Sequence, residues 1–147
     1  MDLFQCIDIA ASGMTAQRTR LNVISMNLAN SNTTKTADGT PYRRKTSIFE
    51  TVPVDNSFEA QFKDSLEKQI YGVRVSEIIP VQGDFKKMFD PSHPDADENG
   101  YVYLPNVNLV QEMVQMINAN RSYEANATAI NTAKEMALKA LEIGQGG

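Results

Sequence analysis

Residues 109–141 read LVQEMVQMINANRSYEANATAINTAKEMALKAL. Leu109, Met113, Met116, Asn120, Tyr123, Ala127, Ile130, Lys134, Ala137 and Leu141 step through this stretch by alternating fours and threes. That spacing keeps one seam of an α-helix facing a partner. It predicts a helix from about Asn108 to Ile143, with Asn106 or Asn108 as its cap and Gly144, Gly146 and Gly147 as its stop. At 1.5 Å per residue the helix is ~50 Å long, more than the core of so short a chain can cover. The front of the chain repeats the pattern. Leu3, Ile7, Ala10, Met14, Gln17, Leu21, Ile24 and Leu28 form a second heptad stripe, predicting a helix from residue 2 to about 30 that ends where Asn27, Asn30 and Asn32 favour caps and turns. Two seam-bearing terminal helices are suited to pairing with each other or with copies of the same chain.

Polar residues interrupt both seams: Gln17 in the first, Asn120 and Lys134 in the second. Such residues lower stability while fixing register and partner choice. The run Ala10-Ala11-Ser12-Gly13 places a glycine inside a helix, at about 1 kcal/mol relative to alanine. Together with Ala16, it is expected to offer a small surface that a neighbouring helix approaches closely.

Between the helices lies a segment of different character. Residues 31–47 are rich in turn formers, with Asp38-Gly39 the strongest signal. Thr46, Ile48, Phe49, Thr51 and Val52 predict a strand over 44–54, ended by Pro53. Phe58, Phe62 and Leu66 recur at fours, the spacing of a short helix over 56–70. Alternation around Val73 and Val75 predicts a strand over 71–79. Loops are expected over 80–100, which holds Pro80, Gly83, Pro91, Pro94 and Gly100, and a short strand, Tyr101 to Leu104, precedes Pro105. The fold class expected is therefore α+β: long N- and C-terminal helices forming an antiparallel coiled coil, with a small central β-rich region. The corresponding division is residues 1–34 plus 106–147 as a helical assembly domain, and residues 35–105 as an outer region.

Composition excludes several classes of function. With 41% apolar and 22% charged residues the chain is globular in type. A net charge of -4 argues against nucleic-acid binding, which needs a basic face to displace counterions. The only basic run, Arg43-Arg44-Lys45, is too short to supply one. No stretch reaches the length of apolar residues that spans a bilayer, and no charged region followed by an apolar core marks a Sec signal. A single cysteine, Cys6, leaves no internal disulfide or thiolate cluster and reads as a small buried hydrophobe.

No catalytic, cofactor or metal site is expected. His93 is the sole histidine and sits in the loop Pro91-Ser92-His93-Pro94. The carboxylates are scattered, and no phosphate-cradling glycine loop occurs. Asp95-Ala96-Asp97-Glu98-Asn99-Gly100 reproduces the opening of a calcium-binding loop, but Asn106 stands where a bidentate glutamate is required. An acidic turn is the expected reading.

The segment Leu21-Asn22-Val23-Ile24-Ser25-Met26-Asn27-Leu28-Ala29-Asn30-Ser31-Asn32-Thr33 resembles the N-terminal signature of the bacterial flagellar rod, hook and hook-associated proteins. Asp38-Gly39-Thr40-Pro41-Tyr42-Arg43-Arg44 is similar to the proximal-rod branch of that family. So are Gly100-Tyr101-Val102, Pro105-Asn106-Val107-Asn108, Glu112-Met113, Arg121 to Asn126 and Lys134-Glu135-Met136. The resemblance covers residues 2–46 and 94–145; residues 55–70 depart from it. It implies a structural subunit of the basal-body rod within the periplasm, exported by the flagellar type III apparatus and stacked axially to carry torque to the hook. In that family the terminal helices form an inner tube. Implied partners are further copies of the chain, other rod proteins, basal-body ring proteins and the export apparatus, with no nucleic acid or small-molecule substrate. On this reading the joining positions are Leu3, Ile7, Met14, Leu21, Ile24, Asn27, Leu28, Asn30, Pro105, Asn106, Met113, Met116, Tyr123, Glu124, Asn126, Ile130 and Leu141. The alternative is a soluble coiled-coil adaptor or export chaperone. An Ala-rich, polar-interrupted seam buries little area, set against an ordering cost of ~1–2 kcal/mol per residue. The ends are therefore expected to fray in the free subunit and to fold on docking.

Overall fold

The computed structural model describes residues 3–54 and 70–145. The order of elements is α1 (Leu3–Ala29), β1 (Lys45–Pro53), β2 (Tyr71–Pro80), β3 (Lys86–Phe89), β4 (Tyr101–Leu104) and α2 (Leu109–Gln145). Two long helices thus bracket a small β region, an α+β arrangement. The short helix read over 56–70 lies outside the described residues, apart from Ile70.

Each helix ends as its residues dictate. Asn108 caps α2: its Oδ1 accepts the N–H of Val110 at 3.1 Å and of Gln111 at 3.3 Å. At the end of α1 the Met26 carbonyl accepts both the N–H of Asn30 at 3.1 Å and the Asn30 side-chain amide at 2.9 Å. Gly144 does not stop α2, which runs on to Gln145; a glycine with helical φ weakens a helix without breaking it.

The strands form two separate two-stranded sheets, β1 with β2 and β3 with β4. Hydrogen bonds from Val54 N–H to the Ile70 carbonyl and from Val81 N–H to the Arg44 carbonyl flank the first sheet, so its strands run in opposite directions. In the second, Lys86 faces Leu104 and Phe89 faces Tyr101, antiparallel. β3 adds a four-residue strand to the stretch 80–100, where loops were expected to dominate. Four residues of Lys-Lys-Met-Phe carry no strand pattern of their own; the ladder with β4 imposes it. Gly39, at φ 77°, makes the expected Asp-Gly turn.

The chain groups into two compact units. One comprises Met1–Thr19, Phe49–Ser76 and Ala119–Gly147; the other comprises Arg20–Ile48 and Glu77–Asn118. Among the described residues, the buried apolar side chains of the first are all alanine: Ala10, Ala16, Ala119 and Ala133. The small-residue run works there as expected. A Cβ on Gly13 would lie 2.9 Å from Asn126 Nδ2 of α2, and a Cβ on Gly72 would lie 2.9 Å from Ser12 Oγ of α1. Ser12 donates to the Ile9 carbonyl and accepts the N–H of Val73, tying β2 to the helix. The second unit has larger aliphatic groups, Val23, Ile24, Val102 and Val107, but its deepest side chains include Asn27 and Glu112, both fully buried.

Candidate assembly interface

Burial of Asn27 and Glu112 requires every polar atom to find a partner. The Asn27 amide does so completely. Its Nδ2 donates to the Lys45 carbonyl at 2.8 Å and to Glu112 Oε2 at 3.0 Å. Its Oδ1 accepts the Tyr42 hydroxyl at 3.0 Å and the Lys45 N–H at 2.8 Å. The other carboxylate oxygen of Glu112 accepts Arg44 Nε at 2.6 Å, a pair in which Arg44 is 16% exposed. Arg44 Nη2 reaches Gln115 at 3.2 Å. Asn106, weighed above as a cap, is used elsewhere: its Oδ1 accepts the Arg44 N–H and its Nδ2 donates to the Val81 carbonyl. Burial, and secondarily the charge of Glu112, raises the pKa of the Tyr42 phenol above its ordinary value.

The remaining joining positions fall into two sets. Ile24, Asn27 and Pro105 are buried, and Leu3, Ile7, Met14, Leu21, Leu28, Asn30, Asn106, Met116, Tyr123, Asn126 and Ile130 are partly covered. Met113, Glu124 and Leu141 are exposed. On α2 the covered positions are Glu112, Met116, Ala119, Tyr123, Asn126, Ile130, Ala133 and Ala137, with Gln115 and Ala127 partly covered beside them. This is a heptad whose alternate members lie one residue before those of the apolar stripe. Small and polar residues, invisible to an apolar count, therefore face inward, while Met113 and Leu141 stay outside. With them lie Val110 (66% exposed), Val114 and Ile117 (55%), and further along Met136, Leu138 and Ile143 (80%). A helix this apolar on its open side calls for a further layer.

The acidic turn is closed on itself. Asp97 Oδ1 accepts the N–H groups of Asn99 and Tyr101, and Asp95 Oδ2 accepts the Thr34 hydroxyl. His93 Nδ1 accepts the N–H of Asp95. No cluster of three metal-ligating side chains occurs among the described residues. Among them, no helix is long and apolar enough to cross a membrane.

Two long helices, a thin alanine core and an uncovered apolar helix face define a subunit that completes itself in an assembly. Residues 7–35 match the family model "Flagella basal body rod protein", and residues 98–143 match "Flagellar basal body rod FlgEFG protein C-terminal". The chain is 49% identical to the "Flagellar basal-body rod protein FlgC" of Borreliella burgdorferi, over 99% of this chain and all of the relative. It is 42% identical to the protein of that name from Bacillus subtilis, and 42% to that from Salmonella typhimurium, each over 99% of this chain and all of the relative. The chain belongs to the flagellar basal-body rod protein C family. It is a structural subunit of the flagellar basal-body rod, within the periplasm. Its relatives are structural rod proteins, and the adaptor or chaperone reading is not favoured.

Proposed function

We propose that the two helices line the inner wall of the rod as an antiparallel coiled coil, and that neighbouring copies and other rod proteins cover the open face of α2. The carrying observation is that face: Val110, Met113, Val114 and Ile117 stand in water in the single chain. The antiparallel order is supported within each unit, by Asn27 against Glu112 in one and by Gly13 against Asn126 in the other. Ascending α1 means descending α2. On this reading residues 1–34 and 106–147 form the assembly part and residues 35–105 face outward, towards the basal-body rings. Stacking of unlike faces of like subunits extends instead of closing, which is the contact a torque-bearing shaft requires. The subunit reaches its place through the flagellar type III apparatus and performs no catalysis. Deleting residues 1–30 tests this: loss of both export and rod incorporation is expected, and an exported, folded variant that still enters the rod overturns it.

A further inference from the structure

We infer that the buried network of Asn27, Tyr42, Arg44 and Glu112 is a register lock: it sets the axial offset between the end of α1 and the start of α2, and so selects which residues of α2 remain uncovered. The inference rests on the proposed use of that face and deepens it.

The apolar contacts around the network are poor at choosing an offset. Val23, Ile24, Val102 and Val107 are small aliphatic groups, and such surfaces tolerate sliding by one turn, about 5.4 Å. Hydrogen bonds do not. The Asn27 amide spends both donors and both acceptor sites in fixed directions. Both Glu112 oxygens are taken by groups from different segments. No neighbouring residue rebuilds the network after a slip. One turn from Asn27 lie Val23 and Ile24 on one side, and on the other Asn30, already bound to the Met26 carbonyl and to Thr33, and Ser31, whose hydroxyl has one proton where the amide supplies two. One turn from Glu112 lie Asn108, committed to the cap, the apolar Leu109 and Met116, and Gln115, a neutral amide already bound to Arg44 that cannot replace the carboxylate. A slipped pair would leave a carboxylate and an amide in the interior without partners, the state a buried pair least tolerates. A polar group that penalises every offset but one is the best-attested use of buried polarity between helices.

The test uses the full chain. In the first variant Asn27→Leu, Arg44→Met and Glu112→Leu are combined, which removes the network without leaving a charge behind. Helix content by circular dichroism should persist, amide signals of residues 20–29 and 109–118 should split into more than one set, and complementation of a non-motile null strain should fail. The second variant exchanges donor and acceptor. Asn27→Asp alone sets a carboxylate against both Glu112 and the Lys45 carbonyl and should unfold the unit; adding Glu112→Gln restores a donor opposite an acceptor at the first of these contacts only, and should recover part of the loss, shifting the unfolding equilibrium back about tenfold. A single set of signals in the triple variant overturns the lock, and if rod formation is nevertheless lost, the proposed outer face survives it. Split signals with normal rods overturn the link between register and assembly. If the triple variant does not fold, the exchange decides: no recovery on adding Glu112→Gln overturns the lock.

Discussion

Tyr42 shows how one hydroxyl carries two consequences. Its proton is donated to Asn27 Oδ1, and Tyr42→Phe should cost about 1 kcal/mol at neutral pH, read from the denaturant midpoint. The phenol's pKa is raised in the folded chain above the ordinary 10.0. The unfolded state therefore loses its proton first, and the stabilisation is full below pH 10.0 and declines as pH rises through the folded value. An unfolding series above pH 10 should show this alkaline loss in the natural chain and less of it in Tyr42→Phe. Gly13 makes the complementary point. Gly13→Ala adds helix propensity and meets only the tip of the Asn126 side chain, so its net effect should stay within about 1 kcal/mol. Gly13→Leu has no such room and should lower stability by about 1–3 kcal/mol in thermal unfolding. The sequence singles out Asn27, and the structure buries it and fills its hydrogen-bonding capacity within the chain. Its partners are not legible in the sequence: Tyr42, Arg44 and Glu112 sit in the motifs that carry the resemblance, but no spacing rule connects residues 85 positions apart.

The helices and the strand β4 are written in local pattern. Heptads, an asparagine cap and β-formers before a proline each act over a few residues, so their bounds can be read almost to the residue. β3 is made by its partner, and no reading of residues 86–89 alone finds it. The phase of α2 was half legible for a physical reason. An apolar count selects large side chains, whereas close packing against another helix selects small ones, Ala119 and Ala133. The two seams share Met116, Tyr123, Ala127, Ile130 and Ala137 and part at Met113, Asn120 and Lys134, which are exposed. This separates two kinds of variant. Ile117→Asp lies on the open face and should change the stability of the single chain by no more than about 0.5 kcal/mol, yet abolish rod formation. Ile130→Asp and Leu21→Asp place a charge at partly covered positions and should also reduce stability, by about 1–3 kcal/mol. Unfolding of the purified variants beside a motility assay checks both arms; motile Ile117→Asp cells would count against the outer face.

Across the whole molecule, covering is uneven. Residues 20–29 and 109–118 are held by the polar network and by valine and isoleucine side chains, whereas residues 136–143 expose Met136, Leu138, Leu141 and Ile143. Hydrogen exchange on the free subunit should therefore be slow over the former and fast over the latter, with protection of 136–143 appearing only in assembled rods. Equal protection of all three stretches before assembly would overturn the view that the tail orders on docking.

Each unit joins segments from the front and the back halves of the chain. Asn27 leaves the ribosome 85 residues ahead of the carboxylate that completes its bonding. Until that carboxylate emerges, the leading segment has nothing to close upon, and closure across so long a loop is intrinsically slow. A polypeptide whose keystone is delivered late stays threadable for longer. On the proposed route, export through a narrow conduit before the final form is taken, the delay is itself useful.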